Sequence, residues 1–115
     1  MNLRMLADAA IEKEEYFLAP EKLIAGNPRQ TVWVQYTDPT NKFFVGIWHS
    51  EKGKWKISYT EEETCQILEG ESIITDDSGN STTVAPGDSF VIPRGFVGTW
   101  EVVTPTKKNF VIYEA

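Results

Sequence analysis

From Gln30 to the C-terminus, apolar and polar residues alternate in short runs separated by turn residues, a period of two that predicts β-strands. Gln30–Tyr36 is rich in β-branched and aromatic residues and stops at Asp38-Pro39-Thr40-Asn41, a strong turn signal. Phe43–His49 is a second strand, ended by Ser50-Glu51-Lys52-Gly53. Lys54–Thr60 alternates cleanly, with Trp55, Ile57 and Tyr59 on one face and Lys54, Lys56 and Ser58 on the other. Thr64–Leu68, Glu71–Thr75, Ser81–Ala85, Phe90–Ile92, Val97–Val103 and Asn109–Tyr113 complete the series. Short strands with turns between them, and no helix between consecutive strands, predict an all-β sandwich or jelly roll.

The first residues follow a different pattern. Leu3, Leu6 and Ala10 are spaced to line one helical face, Tyr16-Phe17-Leu18 before Pro20 reads as an edge strand, and Glu21–Ala25 as one helical turn. Residues 1–27 are expected to form an N-terminal arm that covers a sheet edge, its own or a partner subunit's, because exposed edges invite pairing. Residues 28–115 form the single domain.

Composition narrows the function classes. At 115 residues the chain can bury roughly two-thirds of its unfolded surface and fold without staples. The net charge is −6 with no dense Lys/Arg cluster, which argues against nucleic acid and against an anionic membrane surface. A single cysteine, Cys65, excludes an intramolecular disulfide and a cysteine-rich zinc site. No apolar stretch has the length of a signal-peptide core or a membrane span, so a cytoplasmic location is expected.

Two segments carry the chemistry. Glu63-Thr-Cys-Gln-Ile-Leu-Glu-Gly70 sets a glutamate ahead of a glycine, and Pro86-Gly87-Asp88 leads to Pro93-Arg94-Gly95, then Gly98 and Trp100. With Pro28–Thr31, Phe44–Trp48 and Tyr59–Cys65 these segments resemble the cupin superfamily. The resemblance is to small single-domain members related to the EutQ cupin and, more distantly, to ureidoglycine aminohydrolases. It implies a double-stranded β-helix, a jelly-roll barrel, and a homodimer. In metal-binding cupins, two histidines and a glutamate in the first motif and a histidine in the second hold the ion. Here Glu63 matches the glutamate, while Ile57, Tyr59 and Gly98 fall where the histidines would be. The chain has one histidine, His49. No metal and no other cofactor is therefore expected, since a lone carboxylate holds a divalent ion weakly.

The candidate site follows from those vacated positions. Glu63 is expected inside the barrel mouth as a desolvated carboxylate able to exchange a proton; against this stands its place in the solvated run Glu61-Glu62-Glu63. Tyr59 shares its face, where a phenol can donate to a carboxylate or close the core. The glycine at position 98 is expected to open space, with Trp48, Trp55 and Trp100 as an apolar wall or as plain core packing. Cys65 reads as a small buried hydrophobe, with no histidine or positive field in view to make a thiolate. His49, at a strand end, reads as solvated unless it leans into the mouth beside Glu63. The leading function is a binding module for a small polar, sugar-like or amine-like metabolite, contacted by Glu63, Tyr59, Trp48, Trp100, Gly98 and His49. The alternative is a metal-independent isomerase or hydrolase with Glu63 as acid/base and Tyr59 or His49 as its partner. A metal-dependent enzyme with atypical ligands comes third.

Overall fold

The structure is a computed structural model that describes residues 2–6 and 11–115. Among the described residues it has nine strands and no α-helix: β1 (Lys13–Tyr16), β2 (Leu23–Ala25), β3 (Gln30–Thr37), β4 (Phe43–Ser50), β5 (Gly53–Ser58), β6 (Glu62–Asp76), β7 (Ser81–Val84), β8 (Ser89–Ile92) and β9 (Val97–Tyr113). All pairings are antiparallel. The predicted all-β jelly roll is the fold found. No described helix is long and apolar enough to cross a membrane.

Two long strands organise the barrel. The first part of β6 and the last part of β9 join β4 and β8 in one sheet, with pairs from Glu62↔Tyr113 to Ile67↔Lys108. Beyond a corner, the same two strands join β5 and β7 in a second sheet, with pairs from Ser72↔Val102 to Asp76↔Gly98. The corner carries register shifts at Glu69 and Glu71. At Gly70, φ is +81°, and a Cβ there would run into the Pro105 carbonyl of β9. The shift flips the inward parity of β6: Glu63, Cys65 and Ile67 are buried before it, Ser72 and Ile74 after it. Sequence reading divided β6 at Gly70 and β9 at Pro105. Both breaks are bends in continuous strands.

The arm also departs from expectation. Pro20–Lys22 is a 3₁₀ turn that ends before Leu23, and Leu23–Ala25 is a strand on β5. The edge strand is Lys13–Tyr16, earlier than Tyr16–Leu18, and it covers β3 of its own chain. Leu3 is exposed in irregular backbone, Leu6 is exposed in 3₁₀ backbone, and Ala10 lies outside the described residues.

The core is aromatic. Trp48 meets Trp55 edge-on at 6.2 Å and Trp100 at 5.4 Å, contacts that each add about 0.5–1.5 kcal/mol beyond area burial. Their indoles are not left unpaired. Trp48 Nε1 donates to Gln30 Oε1 at 2.8 Å, and Gln30 Nε2 in turn donates to Ser50 Oγ at 2.7 Å. Trp100 Nε1 donates to Ser72 Oγ at 3.1 Å, which shares a 2.7 Å hydrogen bond with Thr106 Oγ1.

Candidate functional site

The motif turns position the site residues. Pro93–Gly95 folds back so that Gly95 N donates to the Tyr59 carbonyl at 2.7 Å and Tyr59 N donates to the Phe96 carbonyl at 2.9 Å. Gly87 N and the Asp88 carbonyl clasp Ile67 in the same way at 3.0 Å. These contacts fix Tyr59 just beyond β5 and hold the Glu63 end of β6 in register with β8.

Between the two sheets lies a cavity of about 220 Å³. Its walls are Trp48, Trp55, Trp100 and Phe110, with Ile57 and Ile112, and its rim includes Tyr16, Leu18 and Glu61. The polar floor is Tyr59, Glu63 and Lys108, with Cys65 bonded behind them. Tyr59 OH donates to Glu63 Oε1 at 2.6 Å. Lys108 Nζ donates to Glu63 Oε2 at 3.1 Å and to Cys65 Sγ at 3.6 Å. The ammonium also lies over the Trp100 ring at 4.5 Å and the Trp48 ring at 4.7 Å. Glu63 and Lys108 side chains are 5% and 6% exposed, so this ion pair is shielded from water and salt.

Electrostatics follow from that burial. Lost hydration works against the Lys108 ammonium, but Glu63 and Cys65 beside it outweigh that and raise its pKa above the ordinary 10.5. Burial raises the Tyr59 phenol well above its usual range, and the Glu63 carboxylate adds to the effect. Burial likewise pushes the Cys65 thiol up to about 12, with the Lys108 charge opposing it. At the rim, Glu61 is raised by partial burial and by its neighbours Glu114 and Glu63.

Four expected site residues, Glu63, Tyr59, Trp48 and Trp100, line this one cavity, joined by Trp55 and Ile57. Two do not. His49 alternates with the buried Trp48 and Ser50, so it points to the outer face, opposite Thr31 and Lys107 in register. Gly98 borders a shallow groove beside the cavity, and a Cβ there would strike the Thr75 carbonyl. That glycine permits close strand approach and opens no space. Glu63 is the desolvated carboxylate expected, bonded by Tyr59 rather than solvated with Glu61 and Glu62, but an ammonium that was not foreseen neutralises it. Cys65 does have a positive neighbour, yet burial keeps it a thiol.

Sequence reasoning missed Lys108. In sequence it sits in Thr104-Pro105-Thr106-Lys107-Lys108-Asn109, which reads as a polar turn. The signal was parity: Trp100, Val102, Thr106, Lys108 and Phe110 are all even and all buried.

The EutQ-like cupin domain model matches residues 37–110. The chain belongs to this cupin family. No curated protein matches it. Among solved structures, the cupin is similar to a DUF861-family protein of unknown function from Pseudomonas syringae, with a TM-score of 0.80 at 19% identity, covering 91% of this chain and 45% of that one. It thus spans less than half the length of that relative. It is also similar to the EutQ protein of Clostridium difficile, with a TM-score of 0.68 at 18% identity over 82% and 76% of the two chains. A DUF861-family protein of Thermotoga maritima is 33% identical over 56% of this chain and 73% of its own, with a TM-score of 0.54.

Metal-binding cupins raise the question of an ion here, and the residues present do not fit one. Ile57 offers no donor atom, no side chain can be built at position 98, and both Glu63 oxygens are already engaged, Oε1 by the Tyr59 hydroxyl and Oε2 by the Lys108 ammonium. A cation already bonded to that carboxylate repels a second one. Among the described residues, no cluster of three or more His, Cys, Asp or Glu side chains could hold a metal.

Proposed function

We propose that this cupin is a binding module for a small polar metabolite, held in the barrel cavity by Glu63 and Tyr59 against Trp48 and Trp100. What carries the reading is the juxtaposition of an apolar, aromatic wall with a few convergent polar groups in one cavity of about 220 Å³. That volume is equivalent to about seven waters, so the ligand is small. The same reading includes a homodimer, supported by the exposed apolar residues Phe43, Val91, Val111 and Tyr113 on β4, β8 and β9. It also includes a cytoplasmic location, supported by the lone cysteine.

A second reading, a metal-independent isomerase or hydrolase, is favoured by the 2.6 Å hydrogen bond from Tyr59 to Glu63. A phenol and a carboxylate in such contact inside a cavity can pass a proton to or from a bound compound. The two readings share a site and differ in turnover.

A thermal-shift screen of small metabolites tests the first. A ligand at a hundred times its dissociation constant adds about 2.7 kcal/mol of stability. Tyr59→Phe, which removes one hydroxyl and keeps the ring, is expected to shrink the shift. A ligand that binds with the Tyr59→Phe shift unchanged would place the site elsewhere.

A further inference from the structure

The Lys108 ammonium is the least expected group in the barrel, and its bonding constrains what can sit beside it. A lysine has three N–H donors. Among the described residues, Lys108 uses two of them on Glu63 Oε2 and Cys65 Sγ, and the third has only the ring faces of Trp48 and Trp100 beside it, on a side chain that lines the cavity. Glu63 is the complement: each oxygen accepts one hydrogen bond and has capacity for another. The floor thus presents a cationic donor and an anionic acceptor 3.1 Å apart, with opposite charges that cancel.

We infer that the cavity takes an uncharged hydroxyl compound, a small sugar or polyol, with one oxygen accepting from Lys108 and a neighbouring O–H donating to Glu63. This rests on the reading of the cavity as a binding site and narrows its ligand. Both bonds are charge-assisted and neither needs a charge on the ligand. An amine would have to share Glu63 with an ammonium already in contact with it, a like-charge pair in a low-dielectric site. A dicarboxylate would meet Lys108 but also Glu63 and, at the rim, Glu61. Lys108 fills the electrostatic position of a metal ion on Glu63, as a fixed charge that donates hydrogen bonds.

The volume admits on the order of seven to ten non-hydrogen atoms, which sets the probes: erythritol, dihydroxyacetone and D-xylose, against propylamine and malonate. The chain has four tryptophans, and Trp33 is the one outside the cavity. In a Trp33→Phe background, indole fluorescence therefore reports on the cavity walls, and calorimetry gives the affinity. At least one neutral probe is expected to bind, and Lys108→Met is expected to weaken it about tenfold or more. Because Lys108→Met leaves Glu63 uncompensated, the double variant Lys108→Met/Glu63→Gln provides a neutral cavity for the same titration, and binding should be lost there too. Neutral-probe affinity unchanged in the double variant would overturn the inference, as would no binding by any neutral probe. Tighter binding of propylamine or malonate than of all three neutral probes would overturn the ligand class while leaving the cavity a binding site.

Discussion

Two kinds of polar cluster are buried in this barrel, and they differ in what they leave unfinished. The neutral pair of networks, Gln30–Ser50 under Trp48 and Ser72–Thr106 under Trp100, is nearly closed: indole, amide and hydroxyl groups satisfy one another and nearby carbonyls, and one lone pair of Gln30 Oε1 is left at the cavity wall. The charged chain Tyr59–Glu63–Lys108–Cys65 opens on a cavity and retains a donor and acceptor capacity. Closed networks fix ring orientation and barrel corners. The open one has the form of a site.

The largest expected effect lies in the charged cluster. Lys108→Met should cost about 3–5 kcal/mol in urea unfolding, because it strands a buried carboxylate, and Glu63→Leu in the same chain should recover most of that. A single-variant loss near zero would mean that water reaches the pair and that the two clusters are energetically alike.

Alkaline titration sharpens the contrast without mutation. Cys65, Tyr59 and Lys108 all have folded-state pKa values above their ordinary 9.0, 10.0 and 10.5. For each, the folded protein holds its proton where the unfolded chain has released it. The stability they contribute is therefore fully present below about pH 9 and declines as pH rises through the window from 9 toward 12 and beyond. Melting temperature should fall across that window, and Cys65→Ala should flatten its lower part. A flat profile would contradict the burial of all three.

In the neutral cluster, Ser72→Ala should cost about 1–3 kcal/mol, since it leaves the Trp100 N–H without its acceptor. Urea midpoints would give the value, and a binding measurement should scarcely move. Tyr59→Phe should cost about 1.5–3 kcal/mol, since its hydroxyl bonds a buried carboxylate, but unlike Ser72→Ala it should also have a clear effect on ligand binding. If both variants changed binding equally, the division into closed and open clusters would fail.

Much of this was legible from residues alone. The alternation in Phe43–His49 and Lys54–Thr60 gave β4 and β5 within a residue or two, and the odd parity of Ile57, Tyr59 and Glu63 placed them in one cavity. Other features needed three dimensions. The break in alternation at Gly70 looks like a strand end because a bulge flips inward parity there, and a strand end does the same. Lys108 was hidden because a lysine is almost never buried without a partner, and its partner lies 45 residues away. His49 lies on the outer face, as the reading of a solvated strand-end histidine had it, and only the alternative that leaned it into the mouth beside Glu63 fails, because its neighbour Trp48 takes the inward position.

The corner where β6 and β9 pass from one sheet to the other has a consequence for cooperativity. Both sheets are cut from the same two-strand ribbon, so neither can peel away while the other keeps its hydrogen bonds. Unfolding should be all-or-none, and folding slow, because the ribbon joins distant parts of the chain. A half-open barrel is then not expected, and a compound bound as proposed would enter past the side chains at the mouth, Tyr16, Leu18 and Glu61, which can turn aside without disturbing a single strand.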